Sequence, residues 1–94
     1  MMKESQKEVM LIAQEECAEV TQAISKVFRF GMDASHNDRT NKQRLTEEVG
    51  DLLCMIELMM STGVVDSMEV LDSKKAKYAK LKTWSTIFKE SDEN

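Results

Sequence analysis

Apolar residues recur at helical spacing along two long segments of the chain. At about 100° per residue, one set of apolar positions in each segment shares a single side of a helix. These positions are Val9, Ile12, Val20, Ala23 and Val27 in the first segment, and Leu45, Val49, Leu52, Met55, Ile56 and Met59 in the second. Strand-like alternation is not visible anywhere, glycine is scarce and proline is absent. The pattern therefore predicts an all-α fold.

Glycine and cap residues set the predicted bounds of the helices. A first helix over Glu4–Phe30 ends at Gly31, and a second helix over about 42–61 is closed by Gly63. Between them, 32–43 reads as a polar loop made of turn and cap formers. A third helix is predicted from Asp66 to about 81, with 84 as its furthest end. Asp66 and Glu69 have the spacing of a capping box.

We expect these helices to form a short helical bundle in one domain over 1–94, with a frayed polar tail at 89–94. The second helix runs antiparallel to the first, and the third packs across them. A chain of 94 residues buries a small core, and this one has no disulfide framework. Pairing of two chains is therefore expected to complete a four-helix core, in a homodimer or a homotetramer. Trp84, Ile87 and Phe88 would be unsupported in a monomer.

The composition of the chain limits which partners and which cellular compartment are expected. A net charge of −4 argues against nucleic acid as the main partner. The charged N-terminus does not resemble a signal peptide, and no run of about 18 apolar residues predicts a membrane span. We expect a cytoplasmic protein with Cys17 and Cys54 as reduced, partly buried thiols. These two cysteines and one histidine, His36, do not make a zinc-spaced set, and His36 is interpreted as a surface residue.

Four acids fall where the helical pattern expects apolar residues. Glu16 lies in the middle of the first apolar stripe and Glu19 on its border, while Glu48 lies inside the second stripe and Asp51 at its edge. Buried carboxylates without partners are costly, and converging acids repel one another. A hard divalent cation would resolve both problems, because it binds carboxylate oxygens and offsets their charge. Facing helices of a bundle can supply such oxygen ligands. The alternatives are ordinary solvated acids, or a di-iron bundle, which would need Glu-x-x-His pairs.

The same acids stand in two recognisable motifs. Residues 15–19, EECAE, fit the pattern EExxE, and residues 48–51, EVGD, fit ExxD. The flanking segments VFRFG and LTEEVGDLL agree as well. Over roughly 14–80 the chain resembles the MazG-like nucleotide pyrophosphohydrolases, part of the all-α NTP pyrophosphatase superfamily. The resemblance implies hydrolysis of nucleoside triphosphates, NTPs or dNTPs, to the monophosphate and pyrophosphate.

The resemblance also implies roles for single residues. Magnesium, with Mn²⁺ as a substitute, would be held by Glu16, Glu19, Glu48 and Asp51. Glu15 would be a catalytic acid beside Glu16, assisting a second ion or orienting the water. Lys74 and Lys77 match the phosphate-binding part of a KxxKNxxR pattern. The chain departs from that pattern at Tyr78 and Leu81, where Asn and Arg are usual.

The chemistry of the acids leaves alternatives open. No Ser, Cys or His nucleophile constellation is visible, so direct attack by water is expected, on either the α or the β phosphorus. A phosphoribosyl-ATP pyrophosphohydrolase is a second interpretation, and a non-catalytic helical interaction module is a third. The 32–43 loop begins about a dozen residues beyond Glu19, roughly 18 Å of helix. It is not expected to supply metal ligands in its own chain unless it folds back, but it could form a lid, contact the base or reach the site of a neighbouring chain.

Overall fold

The computed structural model describes residues 1–89, and their elements are helical apart from one short β-hairpin. In chain order they are α1 (Glu4–Phe30), β1 (Ser35–His36), β2 (Arg39–Thr40), α2 (Asn41–Ser61) and α3 (Ser67–Trp84). The chain divides into two compact units, Met1–Val64 and Val65–Asn94. The predicted all-α class is confirmed, and each helix lies within a residue or so of its predicted bounds.

In the first unit, α1 and α2 run antiparallel. Near the start of α1, the Gln6 side chain donates a hydrogen bond to the Thr62 carbonyl beyond the end of α2, at 2.9 Å. At the opposite end, the buried Asn41 side chain begins α2 and donates to the Gly31 carbonyl, also at 2.9 Å. Between these contacts Ala13, Ala23 and Met55 form the buried core.

The helix ends follow the cap residues. Gly31 takes a φ of 96°, which L side chains rarely adopt, and its N–H donates to the Val27 carbonyl at 2.8 Å. The Thr40 hydroxyl accepts from the Gln43 N–H and opens α2. The Asp66 carboxylate accepts from the Glu69 N–H at 2.9 Å and opens α3, as the Asp-x-x-Glu spacing predicts.

The segment between α1 and α2 is a hairpin, so the prediction of a strandless loop was wrong. Ser35 pairs with Thr40 and His36 with Arg39, which leaves Asn37 and Asp38 as the two turn residues. Both have positive φ, 53° and 64°, as a type I′ turn requires. Asn and Asp tolerate this conformation better than other residues that carry a Cβ. Two-residue strands are too short to produce an alternating pattern in the sequence.

The apolar stripes are narrower in the structure than the sequence predicted. Ile12 and Val49, both assigned to the stripes, are 38% and 49% exposed in the single chain. Cys17 and Cys54 are free and exposed, so the expectation of partly buried thiols was wrong. Packing against one other helix buries a smaller part of a helix surface than packing within a complete bundle. The predicted stripes assumed a bundle, so some of their residues are exposed in the helix pair.

The second unit consists of α3 and the turn that follows it. Residues 71–80 of α3 are exposed, while the Tyr78 and Phe88 rings pack at 5.9 Å between centroids. Trp84 is 83% exposed. The frayed tail was predicted over 89–94, and all of it beyond Lys89 lies outside the described residues. Within 1–89, no helix combines the length and apolar character needed to cross a bilayer.

Candidate metal centre

The antiparallel pairing of α1 and α2 brings the acids of the two helices together. Glu16 and Glu19 are three residues apart on α1, and Glu48 and Asp51 are three residues apart on α2, so each pair lies on one helix face. Glu16, Glu19 and Glu48 each offer one carboxylate oxygen, and these oxygens all lie within 4.8 Å of one another. This separation is close enough for three oxygens to share one cation.

A second acid group overlaps the first on α2. Glu47, Glu48 and Asp51 also bring three carboxylate oxygens within 4.8 Å, and Glu48 belongs to both groups. Asp51 further shares a small surface depression with Glu16. The four acids predicted as ligands therefore meet at one place on the α1–α2 pair. Glu47 was not assigned from the sequence, although the EE pair at 47–48 is the signal that could have identified it.

Two carboxylate oxygens of this cluster are buried without a hydrogen-bond partner. They are Oε2 of Glu16 and Oε2 of Glu48, in side chains that are half-buried. A buried acceptor that lacks a donor destabilises the fold, and native proteins seldom leave one unpaired. A bound cation would satisfy both oxygens. The donor set consists of carboxylate oxygens alone, which suits a hard divalent ion such as Mg²⁺.

Crowding of these acids changes their protonation. A side-chain hydrogen bond with Glu19, together with desolvation and the charges of Glu19, Asp51 and Glu16, raises the pKa of Glu48 to about 7. Desolvation raises the pKa of Glu16 above its ordinary value, and the neighbouring Glu19, Asp51 and Glu15 charges add to this. Without a cation, the cluster therefore holds a proton at pH values where an isolated glutamate is ionised. A divalent ion would replace that proton.

Glu15 and the two predicted phosphate-binding lysines lie outside the acid groups. Glu15 is exposed on α1, and its charge reaches the site through its effect on Glu16. Lys74 and Lys77 are exposed on α3, where they line a shallow apolar surface with Tyr78 and Leu81. Both lysines belong to the second compact unit.

A cleft of about 290 Å³ begins at the acids and runs towards the hairpin. Its lining combines Glu19 and Glu48 with three cationic side chains, those of Lys26, Arg39 and Arg44. Arg39 forms an ion pair with Glu47 at 2.6 Å, so the hairpin folds back along the first turns of α2. Sequence reasoning missed these cations, because none stands in a motif, and Arg39 lies within the segment that was predicted as a loop. Neither acid group among residues 1–89 includes a residue of the 32–43 segment, although Arg39 of that segment reaches Glu47.

Comparison with known proteins identifies a family. The sequence model of the MazG nucleotide pyrophosphohydrolase domain matches residues 4–84, which cover α1, the hairpin, α2 and α3. No curated protein and no solved structure matches the chain.

Proposed function

The chain belongs to the MazG nucleotide pyrophosphohydrolase family, and from this premise we propose that it hydrolyses nucleoside triphosphates to the monophosphate and pyrophosphate with Mg²⁺. Family membership indicates nucleotide pyrophosphohydrolase chemistry in general and the use of a divalent metal. The nature of the ion, the triphosphate substrate and the roles of single residues are our proposal, with Mn²⁺ as an alternative ion.

One observation supports the proposal above all others. Glu16, Glu19 and Glu48 converge from two helices, and two of their buried oxygens have no donor. An arrangement selected only for stability would replace such acids with apolar residues. Their presence on the facing sides of α1 and α2 is best explained by a cation that the chain binds for its chemistry.

In this proposal Glu16, Glu19, Glu48 and Asp51 hold the magnesium ion. When bound, the ion offsets the repulsion between carboxylates and triphosphate, polarises the attacked phosphorus and lowers the pKa of a coordinated water. Glu16 and Glu15 are the catalytic acids. Glu15, exposed next to Glu16, orients the attacking water or assists a second ion.

Lys74 and Lys77 are proposed to contact the substrate phosphates. They are exposed at three-residue spacing on α3 and so can present two ammonium groups on one face. Replacing either one with Gln should raise KM for the triphosphate. Lys75, exposed on the same helix but on a different face, provides the matched control, and a Lys75→Gln variant should keep the wild-type KM. Equal KM values for all three variants would remove both lysines from the site.

We also propose that the protein acts as a homodimer or a homotetramer. Large apolar side chains remain exposed on the helices of the first unit, which is unusual for a monomer. They include Leu11 at 63%, Ile24 at 41%, Leu53 at 53% and Leu58 at 39% exposed. A second chain that covers these residues would complete the bundle, as in other two-helix units that associate into four-helix cores.

A product-resolved substrate panel tests the proposed reaction. Canonical ribo- and deoxyribonucleoside triphosphates and phosphoribosyl-ATP are each incubated with the protein and Mg²⁺, and the products are separated by ion exchange. The proposal expects nucleoside monophosphate and pyrophosphate in equal amounts from at least one triphosphate. Release of orthophosphate and a diphosphate would contradict it. Turnover of phosphoribosyl-ATP alone would favour the related pyrophosphohydrolase, and inactivity towards every substrate would favour a non-catalytic interaction module.

A further inference from the structure

A second, more apolar pocket lies beside the hairpin and shares lining residues with the cleft described above. This pocket has a volume of about 380 Å³, within the range of sites for small organic ligands. Phe30, Ala34 and His36 are among the residues that line it. Lys26, Asn41 and Arg44 line both the cleft and the pocket. The cleft and the pocket are therefore adjacent, and the boundary between them consists of two cationic side chains and one amide side chain.

The contacts of this boundary hold its side chains in place. The Arg44 guanidinium donates to the His36 carbonyl at 2.7 Å, which ties the hairpin to α2. The Asn41 amide is buried and donates to the Gly31 carbonyl at 2.9 Å, which ties α2 to the end of α1. Both residues belong to the first unit, so the whole passage from acids to apolar pocket is built by one compact part of the chain.

We propose that one nucleotide lies along this passage, with its phosphate chain over Lys26, Arg39 and Arg44 and its base in the apolar pocket against Phe30. The inference rests on the proposed function and adds to it the residues that recognise the base. The chemistry changes along the passage in the same order as it does along a nucleoside triphosphate. Acids suited to a metal come first, then cations suited to phosphate, and then an aromatic ring with an apolar wall.

Phe30 is well placed to stack on a base. Phe30 is 59% exposed at the end of α1, and the Arg29 guanidinium lies 5.0 Å from its ring centroid. A cation over one face of an aromatic ring steadies that ring, while the pocket gives access to the rest of it. Stacking on a ring tolerates different bases. Discrimination between bases would then come from polar groups of the pocket wall, such as Ser35 and His36.

Binding measurements with two kinds of probe separate the base from the phosphates. The probes are the α,β-methylene analogues of ATP, GTP, CTP and UTP, and inorganic tripolyphosphate, each titrated with Mg²⁺ in a calorimeter. Phe30→Ala should raise Kd about tenfold or more for the nucleotide analogues that the wild type binds and leave Kd for tripolyphosphate unchanged. Lys26→Gln should raise Kd for both kinds of probe. Circular dichroism of each variant verifies the fold.

Phe28 supplies the matched control, since it is 86% exposed on the same helix and does not line the pocket. Phe28→Ala should bind every probe as the wild type does. Equal nucleotide affinities for Phe30→Ala and Phe28→Ala would overturn the inference. So would a wild type that binds tripolyphosphate as tightly as the nucleotides, or a Phe30→Ala variant that weakens both probes alike. Failure of the proposed function would be seen separately, as the absence of pyrophosphate release by the wild type from any triphosphate.

Discussion

Glu19 of α1 and Glu48 of α2 face each other across the helix pair, with carboxylate oxygens within 4.8 Å. The contact between two acids is unfavourable when both are ionised. Together with desolvation and the charges of Asp51 and Glu16, it raises the pKa of Glu48 to about 7. The metal-free site therefore keeps a proton that links the two helices. A divalent cation would take over that role, so folding, proton binding and metal binding should depend on one another.

The first prediction is a pH dependence of stability in the metal-free protein. Glu48 has its pKa at about 7 in the fold against an ordinary value of 4.5, so between these values the folded chain binds more protons than the unfolded chain. The contribution of Glu48 to the free energy of unfolding is therefore greatest below about pH 4.5. It decreases as the pH rises to about 7. Thermal unfolding in EDTA across this range measures the effect.

Added Mg²⁺ should raise Tm by an amount that increases over the same pH range, because the ion binds the deprotonated site. Glu48→Gln removes both the proton and the ligand charge. Its Tm in EDTA should vary less between pH 4.5 and 7 than that of the wild type and should not respond to Mg²⁺. A wild-type Tm that rises between these pH values in EDTA would show that the acid cluster is not a source of instability.

The second prediction concerns the buried amide that joins α1 to α2. Asn41 is 8% exposed, and its side chain donates to the Gly31 carbonyl at 2.9 Å. Asn41→Ala would remove that hydrogen bond and lower the free energy of unfolding by about 1 kcal/mol, because the Gly31 end of the bond is open to water. Urea titration measures the change. Gln22 is an exposed amide on α1, and Gln22→Ala is the control, which should change the free energy of unfolding by less than about 0.5 kcal/mol. Equal effects of the two substitutions would mean that the Asn41 hydrogen bond does not stabilise the fold.

The helices and their ends could be predicted from the sequence because their signals are local. Gly31 and Gly63 both adopt positive φ, and Thr40 and Asp66 cap the helices that follow them. The hairpin escaped prediction because its signal is two residues, Asn37 and Asp38. The residues that face each other across α1 and α2 were predicted only in part, since the exposure of Ile12 and Val49 depends on what packs against the pair.

The acid cluster was predictable for a different reason. Helical spacing alone places Glu16 and Glu48 on the apolar sides of two helices, and antiparallel packing then brings them together. The cationic part of the site gave no such signal. Lys26 is one of several charged residues on α1, and Arg39 reaches the cleft only because the hairpin turns back towards Glu47. Such proximity depends on the tertiary path of the chain, which periodicity does not encode.

The third prediction is that the protein is an oligomer in solution. Light scattering at micromolar concentration should give a mass of at least twice the 10.8 kDa of one chain. Leu53, on α2, is 53% exposed in the single chain, and Leu53→Glu should place a charge in the interface and lower that mass. A wild-type mass of 10.8 kDa would rule out the four-helix core.

The fourth prediction assigns the ligands by variants that keep the shape of each side chain. Glu16→Gln and Asp51→Asn each remove one ligand charge, and a loss of activity of about a hundredfold or more is expected in both. Helical circular dichroism should stay at the wild-type level. Glu57→Gln alters an exposed acid of α2 that belongs to neither acid group and should keep full activity. Wild-type turnover in Glu16→Gln or Asp51→Asn would remove that residue from the metal site.

The acids of α1 and α2 are proposed to bind a magnesium ion on which triphosphate hydrolysis depends. The most direct test is the rate of monophosphate and pyrophosphate formation as Mg²⁺ is titrated into protein first treated with EDTA, for the wild type and for Glu48→Gln. We expect no turnover without the ion, saturating activation in the wild type, and no activation of Glu48→Gln at any concentration used. Metal-independent turnover, or the same activation curve in both proteins, would contradict this proposal.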